Sequence, residues 1–463
     1  MSQSRRHHAL VIGGSVAGLF AARVLNDYFE RVTILDRDEP NETAVPRKGV
    51  PQAPQTHVIL TPSYEAVREL FPGLIEELET EGASIYDSGL HMAAILNGCW
   101  VKPGKCDLHY VDCTRSFYEK KIRSRVLKLA NVTFLGRRVV RSLIADDKGM
   151  VTGVDAEDVG TGGKVRFEAD VVIDASGRAS HAPRWLEALG FGPPATEEVK
   201  IDLAYVGALY ESAPSYEPRA KLHVIYPDPP RSWHGGLLHP VEGGIWQLSQ
   251  WGLFGDHPTL DDAGFIAFSQ TLASQEIHNF LRSARRIDEF RKITVPANRW
   301  HRYDRMRRYP RNFCSVGDAV SSVNPIYGQG MIKAAIHAMH LRKLLAGGRS
   351  VSSVAERMRR DIPALVERRA WMTTVYGDLV YPQAAGHRPR DFRFVTWYTR
   401  CVAELASTDL EVRKYYQRAL ILQGGMYSLF RPNIFAKAMA YGARRPFVPL
   451  DQRANTKEMP IMD

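Results

Sequence analysis

Long hydrophobic runs are missing from this 463-residue sequence. After a polar and basic start, Met1–His8, the first apolar stretch is broken by three glycines and stopped by Arg23. It is too short and too glycine-rich for a membrane span or a secretory core. Cysteine is scarce. The five present are an odd number, and Cys99, Cys106 and Cys113 recur every seven residues without a C-x-x-C pair of metal-ligand spacing. Unpaired structural thiols in a reducing cytoplasm are the expectation. No low-complexity segment dominates, and 44% hydrophobic with 24% charged residues excludes disordered, collagen-like and coiled-coil chains. The length exceeds what one hydrophobic core usually supports, so two or three structural units are expected.

Positive charge is in excess, a formal +10. Eleven basic residues crowd Arg282 to Arg311 against Asp288, Glu289 and Asp304. Such a stretch is either a solvated, ion-paired face or a set of arginines that dock the phosphates of a nicotinamide nucleotide. No RNP, zinc-finger or helix-turn-helix pattern accompanies it, so nucleic acid is not an expected partner.

The opening segment carries a strong signal. His8 to Ile12 reads as a buried strand and Ala17 to Leu25 as the helix after it, with Gly13-Gly14-Ser15-Val16-Ala17-Gly18 between them. Gly13 permits a tight turn, Gly18 lets helix and strand pack closely, and the helix N-terminus offers free N–H groups to a pyrophosphate. Ser15 replaces the usual middle glycine, a departure that a small side chain tolerates. A second strand, Val32 to Leu35, delivers Asp36 at its end, 23 residues after Gly13, where a carboxylate accepts from an adenosine ribose. Arg37 follows it. This fingerprint alone does not separate FAD from NAD.

Two later segments do. Ala169 to Ser180 (ADVVIDASGRAS) is a strand running into Asp174 and a glycine turn, and Phe313 to Met331 (FCSVGDAVSSVNPIYGQGM) runs into Gly317-Asp318. Asp318 can accept from the hydroxyls of a ribityl chain. Pro325 fixes the chain, Gly328, Gln329 and Gly330 allow the backbone to approach a flat ring, and a helix from Met331 aims its positive end there.

Together these segments resemble the p-hydroxybenzoate hydroxylase-like flavoproteins, the single-component FAD-dependent aromatic hydroxylase superfamily. The resemblance implies that Asp174, Gly177 and Arg178 serve FAD and NAD(P)H. It implies that Gly317 and Asp318 hold the ribityl chain, and that Arg115, opening the helix Arg115 to Lys128, reaches the flavin. Finer features are similar to the flavin epoxidases of polyether biosynthesis: R-K-G-V-P-Q from Arg47 and Lys48 to Gln52, then His57, Gly255 to Pro258 (GDHP), and Asn324 to Met331. The likeness runs from about Ala9 to Phe447. Pro54 and Gln55 depart from the basic or imidazole character of that branch, and Ser321 stands where many aromatic hydroxylases carry histidine.

The fold class implied is α/β. A Rossmann-like FAD-binding domain of three ββα layers would be built from 1–72, 106–189 and 309–345. An interleaved antiparallel-sheet substrate domain would take 73–105 and 190–308, and a helical region 346–463. Val139 to Phe167 reads as a strand meander. Leu203 to Tyr210, Lys221 to Tyr226 and Gly244 to Trp251 read as a sheet with one buried face, a roof over the flavin ring. Ala419 to Phe435 reads as an amphipathic helix on the substrate domain, with peripheral membrane contact as the other reading. Trp233, Trp246, Trp251 and Phe254 would line an apolar pocket or fill core.

The implied activity is monooxygenation with O2 and NADPH or NADH through a C4a-hydroperoxyflavin, on an apolar polyketide, terpenoid or aromatic metabolite. Epoxidation of an olefin is favoured over ring hydroxylation. No second glycine fingerprint appears, so the nicotinamide donor must bind transiently. His57 and Tyr327 are the candidate catalytic residues, for flavin gating or for shaping the substrate face. No metal site is expected, and His337 with His340 reads as helix packing. The rival functions are a prenyl-chain double-bond reductase, a flavin-dependent halogenase, and a non-enzymatic flavin-bearing binding protein. Trp246 to Gly252 does not match the W-x-W-x-I-P segment of halogenases.

Overall fold

The computed structural model describes residues 6–40 and 43–447. Residues 1–5 and 41–42 of the first expected segment, and 448–463 of the helical region, lie outside the described residues. Five parallel strands form the nucleotide sheet, in the order Phe313–Ser315, Val171–Asp174, Arg6–Ile12, Phe29–Leu35 and Val132–Leu135. The first strand of the chain is central. Its Ala9, Leu10 and Val11 are fully enclosed, as an apolar run covered by helices on one face and by the antiparallel meander on the other should be. The helix Val16–Asn26 returns across this sheet and packs on Gln329–Ala346. The meander expected over 139–167 is a three-stranded antiparallel sheet, Arg138–Ala145, Val151–Asp158 and Lys164–Glu168.

A second, nine-stranded sheet is antiparallel except where Leu222–Ile225 pairs in parallel with Met92–Leu96. The expectation of one buried face needs correction, because both faces of its centre are buried. Along Thr196–Glu211, Leu203 and Tyr205 point to the main core, whereas Val206, Ala208 and Tyr210 join a separate core with Trp246, Phe265 and Phe280. The helices Asp262–Ser269 and Glu276–Leu281 cover that second face, so no residue of Trp246–Gly252 is exposed. The period of two survives, but it separates two apolar environments rather than oil from water.

The C-terminal region is helical, in the order Val351–Ile362, a π turn Pro363–Glu367, then Arg368–Asp378, Phe392–Ala406, Leu410–Leu420 and Pro432–Arg444. The single amphipathic helix expected over 419–435 is not formed. Leu422 and Gly425 take left-handed backbone conformations, Pro432 starts a new helix, and a short 3-10 turn, Met426–Phe430, lies between. Ile421, Leu422, Met426, Leu429 and Ile434 of that stretch are buried within the chain itself, whereas Tyr427 and Phe435 are exposed. Among the described residues no helix is long and apolar enough to cross a membrane. The five cysteines are all unpaired and buried.

One close approach sets the geometry of the nucleotide turn. A Cβ on Gly18 would stand 1.8 Å from the carbonyl oxygen of Gly13, closer than any real contact. Gly18→Ala is therefore expected to push the helix off the strand and to lower stability by about 1–3 kcal/mol or more, read as a fall in the urea midpoint. An unchanged midpoint would show that this packing is looser than described.

Candidate functional site

A large cavity, about 1250 Å3, opens beside the nucleotide turn. This exceeds the roughly 300–1000 Å3 usual for one small ligand, so it has room for a cofactor and a second molecule. Ser15 and Ala17 of the turn form part of its wall, with Arg37, His57 and Arg115. The D-A-S-G-R turn adds Gly177 and Arg178, and the downstream motif adds Gly317, Asp318, Pro325 and Tyr327, then Gly328, Gly330 and Met331. The rest of the wall is mostly apolar and comes from the large sheet and the C-terminal helices: Leu222, Val224, Trp251, Tyr381, Leu420 and Ile421.

The other expected cofactor residues lie behind this wall. Gly13, Gly14 and Gly18 shape the turn from within. Asp36 is buried and its carboxylate accepts from Gly14 N at 2.5 Å, Asp38 N at 2.8 Å and Arg47 Nη1 at 3.2 Å, so its oxygens face the protein. Asp174 is enclosed by Ser176, Ser180 and Ser315, which donate to it, and burial pushes its carboxyl up. Gln329 is buried and donates to Thr373 and to the Leu420 carbonyl, tying its helix to the C-terminal region. Lys48 is exposed on the surface.

Arg47 is drawn inward by a residue the motifs did not flag. Glu119, one turn into the helix Arg115–Leu127, accepts from Arg47 at 2.6 Å, Arg123 at 3.2 Å, Arg115 at 3.3 Å and the Ser15 hydroxyl at 2.8 Å. Burial would raise its carboxyl, but Arg115 and Arg47 outweigh that and hold it below the usual range. Arg115 also donates to Ser15 Oγ at 3.1 Å, while its buried Nε has no partner. Thus the turn that would meet a pyrophosphate rests on a guanidinium-rich cluster.

His57 sits on the wall next to that cluster. The Gln55 carbonyl at 2.8 Å can only accept, so Nδ1 carries the proton and Nε2 is the lone-pair side. Desolvation and Arg115 lower its pKa to about 3, and the imidazole is neutral. Gln55 itself joins this segment to the large sheet. It donates to the Arg291 carbonyl at 2.8 Å and accepts from Ser249 Oγ at 3.0 Å. The departure at 55 is thus a stitch from this loop to the large sheet.

Ser321 is buried rather than on the cavity wall, and donates to Glu367, which the π turn carries inward. Lys333, fully enclosed, donates to Ser321 and stands 3.5 Å from Asp318 and 3.8 Å from Glu367. His337 accepts from Gly317 N at 2.9 Å and faces Glu367 at 3.1 Å, whereas His340 pairs with Asp361. The two histidines of the H-x-x-H pattern therefore have separate partners. Among the described residues no cluster of His, Cys, Asp or Glu could hold a metal. Of the four aromatic candidates only Trp251 lines the cavity. Trp246 faces the second core, and Trp233 donates to Asp256 beside Phe254. Part of the basic stretch is ion-paired, Arg286 with Asp262, Arg302 with Asp304, Arg305 with Glu197, and only its Lys292 reaches the cavity wall.

The wall fits a flat cofactor. A Cβ on Gly177 would meet nothing within 4 Å, and one on Gly330 only Asp318 Oδ1 at 3.8 Å, so bare backbone faces open space beside the Asp318 carboxylate. The family described as FAD binding domain matches residues 6–350. The chain belongs to that family. Protein Rv3254 of Mycobacterium tuberculosis is 30% identical over 456 residues, which span 95% of this chain and 94% of that protein. Two solved structures share the fold. The p-nitrophenol 4-monooxygenase PnpA of Pseudomonas putida has a TM-score of 0.62 at 16% identity, over 92% of this chain and 100% of that one. The flavin-dependent halogenase CmlS has a TM-score of 0.62 at 16% identity, over 87% and 73%. The cofactor of this flavoprotein is FAD, and its fold is that of the p-hydroxybenzoate hydroxylase-like flavoproteins.

Two outcomes follow from the charges. Glu119→Ala leaves Arg115 and its neighbours buried without their shared carboxylate, and a loss of about 3–5 kcal/mol is expected in urea unfolding. A loss below about 1 kcal/mol contradicts the role given to Glu119. The second concerns pH. His57 is lowered to about 3, and His223 and His301 to about 4, each chiefly by desolvation. The unfolded chain takes up protons at these sites below about 6.5 that the folded chain refuses. Stability therefore falls as pH drops from 6.5 toward 4. A urea midpoint that stays constant over that interval would contradict neutral imidazoles at all three positions.

Proposed function

We propose that this flavoprotein is a monooxygenase, reduced by NADPH or NADH, that transfers one atom of O2 to an electron-rich carbon of an apolar metabolite. The observation that carries this reading is the continuity of the cavity, from the nucleotide turn to an apolar wall shared by the large sheet and the C-terminal helices. When bound and reduced, FAD supplies the electrons and the site at which O2 is activated. The protein must hold that cofactor, orient the acceptor and exclude water.

The holding residues follow from the geometry. The N-terminus of the helix Val16–Asn26, with Ser15 and Arg115 beside it, suits the pyrophosphate. Asp318 suits the ribityl hydroxyls. Gly328, Gly330 and Met331 would hold the ring against backbone at the positive end of Gln329–Ala346, where that dipole would favour negative charge. Neutral His57 offers a lone pair on the same wall. Apolar side chains such as Trp251, Leu253 and Ile421 exclude water from the acceptor.

Within this class, epoxidation of a polyketide or terpenoid olefin is favoured over ring hydroxylation. The motif set at Arg47 to Gln52, Gly255 to Pro258 and Asn324 to Met331 supports it, as does the engagement of Ser321 with Glu367 and Lys333 away from the cavity.

The test is to reduce the FAD-loaded protein with NADPH or NADH without air, then mix it with isotopically labelled O2 and an olefinic polyketide or terpenoid. Flavin reduction by at least one nucleotide, and one labelled oxygen atom per product, are expected. Product formed without O2 uptake indicates a double-bond reductase, and a halide-dependent product indicates a halogenase. No reduction by either nucleotide removes the nicotinamide part of the reading.

A further inference from the structure

Asp378 ends the helix Arg368–Asp378 at the cavity wall, only 1% exposed. Three donors converge on it from two other parts of the chain. Tyr327 Oη donates to its Oδ1 at 2.9 Å, Asn324 Nδ2 to the same oxygen at 3.0 Å, and Asn298 Nδ2 to Oδ2 at 2.9 Å. Asn298 belongs to the large sheet, whereas Asn324 and Tyr327 belong to the turn that opens the helix Gln329–Ala346. The neighbouring Gly377 is what lets the phenol in, since a Cβ there would stand 2.2 Å from Tyr327 Oη.

This arrangement fixes the polarity of one point on an otherwise apolar wall. An ionised carboxylate has only lone pairs, so the Tyr327 proton is committed to Asp378. What the phenol oxygen has left for a ligand is a lone pair. We infer that Tyr327 accepts a hydrogen bond from a hydroxyl carried by the apolar substrate, and that Asp378, acting through Tyr327, is the positioning residue that makes this wall an acceptor. The substrate class is narrowed to apolar molecules with a hydroxyl close to the carbon that reacts. Such a hydroxyl sets which carbon is presented at the Gly328–Met331 turn. The inference rests on the proposed apolar-substrate reading.

The device has a pH signature. Burial pushes the Asp378 carboxyl up to about 6. The titratable groups that face it are Tyr327 from the turn, Tyr205 from the large sheet and Tyr381 from its own segment, all kept protonated by burial. Above about pH 6 the carboxylate holds the Tyr327 proton. Below it Asp378 becomes a donor as well, and Tyr327 is released from its fixed orientation.

The experiment uses FAD-loaded, oxidised protein with no reductant, and compares 2-naphthol with 2-methoxynaphthalene by the change each makes in the flavin spectrum. The probes share a ring system, and only the first has a donor. At pH 7.5 the naphthol is expected to bind about tenfold tighter, the worth of one hydrogen bond, and at pH 5 that preference should shrink. Tyr327→Phe should abolish it. Asp378→Asn, which cannot titrate and carries N–H donors at every pH as the protonated carboxyl does, should show the weakened preference at pH 7.5 as well as at pH 5. Equal binding of the two probes by the native protein, a preference that survives Tyr327→Phe, or one that is the same at both pH values would overturn the inference. Should Asp378→Asn not fold, Tyr327→Phe and the native pH comparison decide. Failure of both probes to bind would instead count against the apolar-substrate reading and take this inference with it, while O2 activation is tested separately.

Discussion

Everything around the nucleotide turn depends on one buried carboxylate. Glu119, itself buried, receives Arg47, Arg115, Arg123 and Ser15 just behind the cavity wall. Three guanidinium groups this close would repel one another and the positive end of the first helix. With the carboxylate among them, they become a stable floor under a surface that still favours anions. Arg47 extends the floor to Asp36, and Asp36 in turn receives the Gly14 N–H. The loop, the first two strands and the helix Arg115–Leu127 are thereby tied together by charge as well as by packing. A buried network of this kind is costly unless every member is matched, which makes its geometry unforgiving.

The strand, turn and helix at the start of the chain were legible because their constraint is local. A glycine is needed where Gly13 and Gly18 meet, and the apolar run of the first strand spans a few residues. The FAD motifs downstream were legible for the same reason. Glu119 was not, because its partners are 4, 72 and 104 positions away, and a lone glutamate on a helix looks like any solvated charge. Asp378 was hidden likewise. Its donors come from Asn298 and from the Asn324–Tyr327 turn, and nothing local marks it out. The misjudged elements have physical causes too. The large sheet kept its alternation but buried both faces, and the run over 419–435 read as one helix until left-handed Leu422 and Gly425, and Pro432, divided it.

The C-terminal helices are part of the site rather than an appendage. Gln329 anchors to Thr373 and Leu420, Lys333 and His337 meet Glu367 from the π turn, and Asp378 gathers the Asn324–Tyr327 turn. Each of these contacts joins a flavin-binding motif to a helix beyond residue 350, where the family match ends. The part of the chain that carries family identity and the helices that complete the cavity wall are thus held by shared side chains, not merely placed side by side.

The strand order of the nucleotide sheet bears on how the chain emerges from the ribosome. The first strand lies in the middle, and its neighbour on one side, Val171–Asp174, is made some 160 residues later. The edge strand beyond that, Phe313–Ser315, follows a further 140 residues on. Until Val171–Asp174 is made the opening strand exposes an apolar, unpaired edge, the edge of Val171–Asp174 then waits for Phe313–Ser315, and closing such long loops makes assembly slow. About two-thirds of the protein must be synthesised before the five-stranded sheet is complete. During that interval the nascent chain is a natural client for chaperones that shield sheet edges.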